Sequence, residues 1–571
     1  MAYRRLSILQ QHLDSGGGLR KAEEEEDGAV LKHQAARSSP ASNDVMGNEP
    51  GTSETENKFI TAEEAALLVK DGDWITASGF VSAGCAEALI NAIGARFNQT
   101  RKPQGLTLIT PIVVGNGKGR GLDVLAKEGL LKALVFAWAG TTPGLVKLVQ
   151  DEKIQAWNFP FGCVAHMLRD TGAGRLGPIT RIGMGTYVDP RETGGKKNSI
   201  TTENMVELVR VGGELRLWYK APKAVHVALL RGTTADLDGN ISFEKEALYL
   251  DQLNKAIAVH NSGGTVIVQV ERVCDRGTLP TRAVHIPGAL VDKVVVAPAP
   301  DLHLQTLKSD IYDPSLSGEL RAPVGGIKPL PLGERKIIAH RAFFEIPKAG
   351  AVVNLGVGMP EGVAVMVATH GEQNPASKSI VMTTEAGVMG GFPRGGLEFG
   401  TGQNAAAHMV CSTILDFYNG GGIDIAFLGM AEVDKEGNVN VSNFGPGRMP
   451  GCGGFIDISQ SSKQVVFMGC HTSGGLKVDV DGGRINIQRE GRMKKFCKAV
   501  KEKTFAASSA RGRSILYVTE RAVLRLVEGV GPEIVEIAPG IDLERDVIGQ
   551  MEFRPAVSPR LKQMDSRVFS L

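Results

Sequence analysis

Glu385 follows a predicted strand, in the position where α/β enzymes commonly hold catalytic side chains. Residues 379–384 are mostly apolar or β-branched, which predicts a buried strand, and Glu385-Ala386-Gly387 comes directly after them. Loops at the carboxyl ends of strands are where such folds expose side chains to ligands. A carboxylate there can act as a nucleophile, a general base or a metal ligand. The alternative is a glutamate that only caps a turn.

Three glycine-rich segments could place backbone N–H groups against an anion. Residues 115–121 read GNGKGRG, residues 450–455 read PGCGGF, and Lys477 follows a further Gly-Gly pair. A tight turn is the alternative explanation for each segment. None of them is a Walker A loop. Gly356-x-Gly358 does not open a dinucleotide fingerprint either, because Glu361 occupies the position of the third glycine.

The histidines and cysteines carry no signature of a metal site or a serine hydrolase. No histidine pair has the spacing of a zinc protease, and no Gly-x-Ser-x-Gly elbow is present. The seven cysteines are scattered and never form Cys-x-x-Cys, which argues against a disulfide scaffold and favours a reducing compartment. We therefore predict an enzyme without a metal.

Composition narrows the class of protein further. Lys and Arg number 64 against 62 Asp and Glu, so the formal net charge is only +2 and a nucleic-acid binder is not expected. Glycine, at 71 of 571 residues, is about 12% of the chain against roughly 7% in average usage. No stretch of about twenty residues is free of charges or glycine breaks, so no membrane span is predicted. These features favour a glycine-rich enzyme.

Residues 1–57 differ in character from the rest of the chain. They combine Arg4 and Arg5 with an acidic cluster at 23–26 and a stretch rich in Ser, Asn, Gly and Pro. We predict a disordered extension. A mitochondrial leader is the alternative, although such leaders are poor in acidic residues. The location, cytoplasmic or mitochondrial, stays open.

Regular structure is predicted from Lys58 onward. Thr61 and Glu64 have the spacing of a capping box at a helix start. Apolar segments then alternate with helical patterns, which is typical of an α/β domain with a mainly parallel sheet. The predicted strands are 74–77, 106–110 and 133–138, and the predicted helices are 86–93, 123–131 and 145–151.

The pattern restarts after residue 335. Residues 71–79 (DGDWITASG) resemble 348–356 (KAGAVVNLG), and 235–242 (ADLDGNIS) resemble 433–440 (VDKEGNVN). We therefore predict two related open α/β domains, with the active site in the cleft between them. The predicted division is 58–308 for the N-terminal domain, 309–335 for a Pro- and Gly-rich linker, and 336–571 for the C-terminal domain.

The ordered set of motifs resembles the class I coenzyme A transferases, especially the acetate/propionate branch, which is related to the succinyl-CoA:3-ketoacid enzymes. The similarity runs from about Lys58 to about Pro559 and implies fused α and β subunits. The motifs that carry it are Ser78-Gly79-Phe80, 115–121, the NLGVGMPEG segment at 354–362, Thr384-Glu385-Ala386-Gly387, the GNVNV segment at 437–441 and the GCGGFID segment at 451–457.

The resemblance implies a ping-pong reaction in which Glu385 attacks an acyl-CoA and then carries CoA as a glutamyl thioester. The Gly454 N–H is implied as an oxyanion donor, and we predict CoA contacts from the glycine loops and the basic side chain that follows them, at Gly356, Gly358, Gly453 and Lys477. The predicted partners are acyl-CoA and small carboxylic acids, and the chain is expected to form a homo-oligomer. No tightly bound cofactor is expected, because CoA enters as a substrate.

The sequence departs from the resemblance at Phe161. Related enzymes have a glutamine there whose amide is a second oxyanion donor, whereas this chain reads Pro160-Phe161-Gly162, and Asn158 is the proposed substitute. The predicted reaction moves CoA from acetyl-, propionyl- or succinyl-CoA to another short carboxylic or 3-keto acid. Two alternatives stay open, an acyl-CoA hydrolase that uses the same intermediate and a catalytically weakened acyl-CoA-binding homologue.

Overall fold

The computed structural model describes residues 58–323 and 326–570, so the predicted extension over 1–57 lies outside the described residues. The first helix, α1 (Ala62–Leu67), begins with the predicted capping box. The Thr61 hydroxyl accepts the Glu64 N–H at 3.1 Å, and the Glu64 carboxylate accepts the Thr61 N–H at 2.8 Å. Two of the N–H groups that a helix start leaves unpaired are satisfied in this way.

A parallel sheet of seven strands forms the centre of the N-terminal half. Its order is β7-β6-β5-β1-β2-β3-β4, and all its neighbouring strands are parallel. Each inner strand is buried on both faces, as parallel sheets require. The strands are β1 (Trp74–Ala77), β2 (Leu106–Ile112), β3 (Leu131–Trp138), β4 (Gln155–Asn158), β5 (Val227–Arg231), β6 (Thr265–Val270) and β7 (Lys293–Val296).

Four further helices belong to this half. They are α2 (Glu87–Thr100), α3 (Pro143–Gln150), α4 (Phe161–Gly172) and α5 (Gln252–Asn261). The helix predicted over 123–131 is wrong, because only a 3-10 turn, Leu122–Leu125, forms there. Gly121 and Gly129, at φ +72° and +89°, lie on either side of this turn in a conformation that no right-handed helix allows.

A sheet of ten strands forms the centre of the C-terminal half. Its order is β11-β10-β9-β8-β12-β13-β14-β15-β16-β17. The five strands β9, β8, β12, β13 and β14 run parallel, and the strands beyond them include antiparallel pairs at both ends. The strands are β8 (Val352–Leu355), β9 (Val381–Thr383), β10 (Val388–Met389), β11 (Ala407–His408), β12 (Ile425–Gly429), β13 (Gln464–Met468), β14 (Ser514–Val518), β15 (Ala522–Val527), β16 (Gly531–Ile537) and β17 (Ala556–Gln563).

The principal helices of the C-terminal half are α6 (Glu334–Phe343), α7 (Glu361–His370), α8 (Cys411–Asn419) and α9 (Phe455–Ser461). The predicted linker, 309–335, contains the short helix Pro314–Ser317. The two α/β halves are confirmed, and the boundaries at residues 308 and 336 stay a prediction. No helix in the described part of the chain is long and apolar enough to cross a membrane.

The two repeats seen in the sequence correspond to equivalent structures. β1 and β8 each lie where the strand order reverses. β1 has β2 on one side and β5 on the other, and β8 has β9 on one side and β12 on the other. In both copies of the second repeat an aspartate accepts the N–H of an asparagine four residues on, Asp236 from Asn240 and Asp434 from Asn438, at 2.9 Å each. Since ligands bind at such reversal points, the ends of β1 and β8 are where a site is expected.

The halves pack against each other through apolar side chains. The core of the C-terminal half continues into the N-terminal half, where it includes Phe80, Phe161 and Leu248, each no more than 2% exposed. A shared core fixes the relative position of the two halves, because close-packed interiors do not deform easily.

Candidate active site

A cavity of about 370 Å³ opens at the ends of β1 and β8 and is lined by both halves. Most of its walls are apolar or glycine. Among the described residues that line it, Glu385 is the only one with a carboxyl or cationic side chain. The lining residues are Phe80, Val81, Ile112, Trp138, Gly140 and Thr141 of the N-terminal half, and Gly356, Val357, Glu385, Gly396, Leu397, Phe399, Leu428, Gly429, Val441, Gly451, Cys452, Gly453, Gly454, Phe455 and Ile458 of the C-terminal half.

Glu385 is held by a tight connection between β9 and the antiparallel β10. The Thr384 N–H donates to the Val388 carbonyl at 3.1 Å, and the Thr384 hydroxyl donates to the Gly400 carbonyl at 2.7 Å. Gly387 lies at φ +107°, and a Cβ there would be 2.0 Å from the Met409 carbonyl oxygen, so only glycine fits. The strand is shorter than predicted, but its end and the glycine turn lie where the sequence predicted them.

Burial sets the electrostatics of Glu385. Its side chain is 8% exposed, and Oε2 has no hydrogen-bond partner among the described residues. Burial raises the pKa of Glu385 from its ordinary value to about 7, and the nearby Asp457 carboxylate acts in the same direction. The Asn354 amide opposes this shift. A carboxylate that is poorly stabilised by its surroundings is more basic and more nucleophilic than one in water.

Asn354 is a neighbour of Glu385 that is not among the site residues predicted from the sequence. It lies in β8 directly opposite Thr383 of β9, two residues before Glu385. Its side chain is fully buried and its Oδ1 lacks a partner in the described structure. The sequence signal for Asn354 is an asparagine near the end of an apolar strand. A polar side chain buried there normally has a partner, so it indicates a polar neighbour in the fold.

The predicted donor Gly454 lies directly against Glu385. A Cβ on Gly454 would be 3.1 Å from the Cγ of Glu385, so a side chain there would crowd the carboxylate. Gly454 precedes α9, and within the described part of the chain its N–H donates to no protein acceptor. The N–H is therefore free to bind an oxyanion formed beside Glu385. Gly453, for which a CoA contact is predicted, also lines the cavity.

Phe161 belongs to an aromatic wall behind the cavity. It is 2% exposed, and its ring packs 5.8 Å from that of Phe80, which in turn lies 6.3 Å from Phe399. The Asn158 amide is not the substitute donor, because its Nδ2 donates to the carbonyls of Phe136 and Ala137 at 3.0 and 2.7 Å. Asn158 instead joins β4 to the end of β3 and accepts the N–H of Cys452 at 3.2 Å, and it lies outside the cavity lining.

Of the three remaining residues with a predicted CoA contact, one lines the cavity and two do not. Gly356 lines the cavity, whereas Gly358 lies in the following turn and donates its N–H to Glu361 at 2.8 Å. Lys477 begins the exposed strand Lys477–Asp481 and does not line the cavity. In the 115–121 loop, Arg120 is bound to Glu87 at 2.5 Å and so is not a free cation.

A second cavity of about 460 Å³ adjoins the first and shares Trp138, Gly140, Val357, Gly429 and Val441 with it. This outer cavity contains a cation, Arg448, whose guanidinium lies 5.5 Å from the Phe444 ring. No group of histidine, cysteine or acidic side chains among the described residues is arranged to hold a metal ion. The two cavities together form an apolar chamber at Glu385 and a wider space with a positive charge beyond it.

Comparison with known proteins places this geometry in context. The model of the family described as "Coenzyme A transferase" matches residues 59–297. The chain is 45% identical over 519 residues to caffeate CoA-transferase of Acetobacterium woodii, with 90% of this chain and 97% of that protein covered. It is 40% identical over 514 residues to acetate CoA-transferase YdiF of Escherichia coli K12, with 89% and 94% covered. The structure of the Escherichia coli O157:H7 acyl-CoA transferase YdiF as a thioester complex with CoA superposes with a TM-score of 0.83 at 39% identity, over 90% of this chain and 96% of that one.

Proposed function

The chain belongs to the coenzyme A transferase family, and from this premise we propose that Glu385 carries CoA between two carboxylic acids. One observation supports this role above the others: among the described residues that line the inner cavity, Glu385 is the only one with a carboxyl or cationic side chain. It is buried there, and one of its oxygens has no hydrogen-bond partner in the part of the chain that the structure describes. A buried carboxylate without a cationic partner is costly, so such an arrangement is expected to serve a function.

The proposed reaction has two symmetrical halves. The Glu385 carboxylate attacks the thioester carbonyl of the acyl-CoA, the C–S bond breaks, and an acyl–glutamyl anhydride and CoA thiolate result. The thiolate then attacks the glutamyl carbonyl, which releases the first acid and leaves a glutamyl–CoA thioester. A second carboxylate attacks this thioester and reverses both steps. Carboxylate is exchanged for carboxylate, so neither ATP nor an oxidant is consumed.

The Gly454 N–H is the donor that we assign to the oxyanion formed at the glutamyl carbonyl. A Cβ on this residue would be 3.1 Å from the Cγ of Glu385, so its backbone is close to the carboxylate. One oxyanion donor commonly changes kcat by about 10²–10³-fold. The apolar walls strengthen this hydrogen bond, because they exclude water from the reacting atoms. Water exclusion also favours transfer over hydrolysis of the glutamyl thioester.

The lining of the inner cavity favours monocarboxylic acids over dicarboxylic ones. Thr141 and Cys452 are its polar side chains besides Glu385, and both already donate, Thr141 to the Val113 carbonyl at 3.4 Å and Cys452 to the Phe159 carbonyl at 3.3 Å. No lysine, arginine or histidine of residues 58–323 or 326–570 lines this cavity. A second carboxylate on the substrate would therefore be buried without a partner. The relatives named for caffeate and acetate both act on monocarboxylic acids.

Butyrate and succinate test this choice, because they have the same number of carbons and differ only in the terminal methyl or carboxylate. Succinate can enter this apolar cavity without a second charge only when its second carboxyl is protonated. At pH 7 the fraction protonated there is lower than one by a factor on the order of 10²–10³. We expect kcat/KM with acetyl-CoA as donor to favour butyrate by at least this order. Equal values would contradict the assignment of the apolar cavity to the acyl group.

The proposed intermediate is tested by incubation with acetyl-CoA in the absence of an acceptor acid. We expect the peptide that contains Glu385 to gain the mass of CoA less one water molecule. The Glu385→Gln variant should show neither the adduct nor transfer. Release of free thiol without an acid would indicate the hydrolase, and CoA binding without an adduct would indicate a non-catalytic homologue. The homo-oligomer and the CoA contacts of Gly356, Gly358, Gly453 and Lys477 stay predictions.

A further inference from the structure

Two helices that pack against each other across the cleft lack a capping side chain of their own. α4 of the N-terminal half follows Pro160, and α8 of the C-terminal half follows Val410. Neither of these residues can accept a hydrogen bond through its side chain, and no local side chain caps either helix. Helix starts usually use Ser, Thr, Asp or Asn in this position, so both helices need a cap from elsewhere.

Each helix receives its cap from the opposite half. Asp457, in α9 of the C-terminal half, accepts the N–H of Gly162 in α4 at 3.2 Å. Asp251, in the N-terminal half, accepts the N–H of Ser412 in α8 at 2.8 Å. Gly162 and Ser412 are both the second residue of their helix. The two contacts therefore form a reciprocal pair.

Both aspartates lie near the start of a helix of their own half, and both reach across to the opposite half. Asp251 occupies the N-cap position of α5, yet its side chain makes no hydrogen bond to that helix. Asp457 is the third residue of α9, a position from which acidic side chains commonly satisfy the start of their own helix. Both are almost fully buried, at 2% and 0% exposure. Two buried acids directed across the cleft indicate a role beyond the stability of a single helix.

The fit at Gly162 is specific. A Cβ on Gly162 would lie 2.4 Å from Oδ1 of Asp457 and 3.1 Å from Nδ2 of Asn419, so only glycine admits the carboxylate. Asn419, the last residue of α8, donates to the same Oδ1 at 3.2 Å. Asp457 thus joins the start of α4 to the end of α8. Because it is held from both sides, α9 is fixed relative to both helices.

The two caps converge on Glu385 from different sides. Cys411, the residue before Ser412, donates its thiol to the Ala386 carbonyl at 3.4 Å, next to Glu385. Gly454, three residues before Asp457, lies against the Glu385 side chain. The Asp251 cap therefore fixes the loop that carries the carboxylate, and the Asp457 cap fixes α9, which begins beside the Glu385 side chain.

We propose that Asp251 and Asp457 are positioning residues, which hold Glu385 and the Gly454 N–H at their working separation by capping helices of the opposite half. This inference rests on the proposed role of Glu385. Each aspartate acts through a helix and not on the substrate. The Asp457 charge also raises the pKa of Glu385, and because Asp457→Ala and Asp457→Asn both remove that charge, a difference between these two variants reports the cap alone. A displacement of about 1 Å between reacting groups can cost about 10²-fold in rate, so modest movement of either helix is sufficient to slow the reaction.

The test compares alanine and asparagine at each position. Asp251→Ala and Asp457→Ala lose the acceptor, and we expect kcat and the rate of CoA adduct formation to fall 10- to 100-fold, with KM for acetyl-CoA changed less than about threefold. Asp251→Asn and Asp457→Asn keep an acceptor oxygen and should recover kcat to within about fivefold of the unmodified enzyme. The Asn419 amide can turn to accept from Asn at 457, because its Oδ1 is otherwise unpartnered within the described structure.

Thr61→Ala is the matched control, since it removes the cap of α1 and Thr61 does not line the cavity. We expect it to lower the melting temperature as the aspartate variants do, with kcat unchanged. Aspartate variants that lose stability but keep kcat would overturn the proposal, as would asparagine variants no more active than the alanine ones. If an alanine variant does not fold, the asparagine variant at the same position is compared with the unmodified enzyme. A kcat within about fivefold supports the proposal, and a lower kcat contradicts it. Absence of the adduct in the unmodified enzyme would instead refute the role of Glu385.

Discussion

Replacement of Glu385 by glutamine is expected to abolish transfer and, above neutral pH, to stabilise the protein. Glutamine has the same shape as the carboxylate but no charge. The charged form of Glu385 is buried with no cationic partner among the described residues, and its pKa is raised by that burial to about 7. In the unfolded chain the same side chain has its ordinary pKa of 4.5. The charge is therefore tolerated in the folded enzyme at a cost in stability.

The size and sign of this cost follow from the two pKa values. Below pH 4.5 the carboxyl is protonated in both states and costs nothing. Between pH 4.5 and 7 the unfolded state loses the proton first, so folded Glu385 binds more protons and the free energy of unfolding falls as the pH rises. Integration over this window gives about 1 kcal/mol at pH 5 and about 3 kcal/mol at pH 8. The increase in the free energy of unfolding that Glu385→Gln causes should therefore be about 2–3 kcal/mol larger at pH 8 than at pH 5.

Urea unfolding of the enzyme and of Glu385→Gln at pH 5 and pH 8 measures this difference, and the pH 5 pair is the internal control. Any change in packing that glutamine causes is common to both pH values and cancels. We expect the free energy of unfolding of the variant, relative to that of the enzyme, to be about 2–3 kcal/mol higher at pH 8 than at pH 5. A stability gain that is the same at both pH values would show that Glu385 is not an isolated buried charge.

Three further outcomes are expected. Because the nucleophile is the ionised carboxylate, kcat/KM should rise about tenfold between pH 6 and pH 8 as Glu385, whose pKa is about 7, loses its proton; a profile flat over this range in initial-rate measurements would contradict that. Gly454→Ala places a methyl 3.1 Å from the Cγ of Glu385 and should lower kcat by about 10²-fold in the transfer assay, and a kcat within twofold of the enzyme would remove Gly454 from the mechanism. Phe161→Gln buries an amide behind the Phe80 ring and should lower the free energy of unfolding by about 1–3 kcal/mol with no gain in kcat, whereas a faster enzyme would mean that residue 161 reaches the reacting atoms.

The sequence was sufficient to predict the position of Glu385 because the signals there are local. An apolar strand, a carboxylate and a glycine turn lie within nine residues, and each has a direct structural meaning. The repeats were equally informative, since the same aspartate–asparagine turn closes both copies. The motif at Gly454 was found through the resemblance, and the structure places it against Glu385.

The contacts between the halves could not be predicted in the same way. Asp251 lies directly before a helix and has the appearance of an ordinary N-cap, while the residue that it caps is 161 positions away. Asn354 lies within a strand whose apolar neighbours dominate the pattern. Asn158 failed as the predicted donor because the carbonyls that occupy its amide belong to another strand. Each of these depends on which residues the fold brings together, and sequence spacing does not encode that.

Oxygen exchange provides the most direct test that Glu385 carries CoA. In the proposed reaction the acceptor acid leaves one of its oxygens on the glutamyl carboxylate, because the anhydride opens at the acyl carbonyl. After many turnovers with an acid labelled with oxygen-18 in ordinary water, the peptide that contains Glu385 should carry one or two heavy oxygens, detected by mass spectrometry. Continued transfer with no heavy oxygen in that peptide would show that CoA passes between the acids without a covalent bond to Glu385.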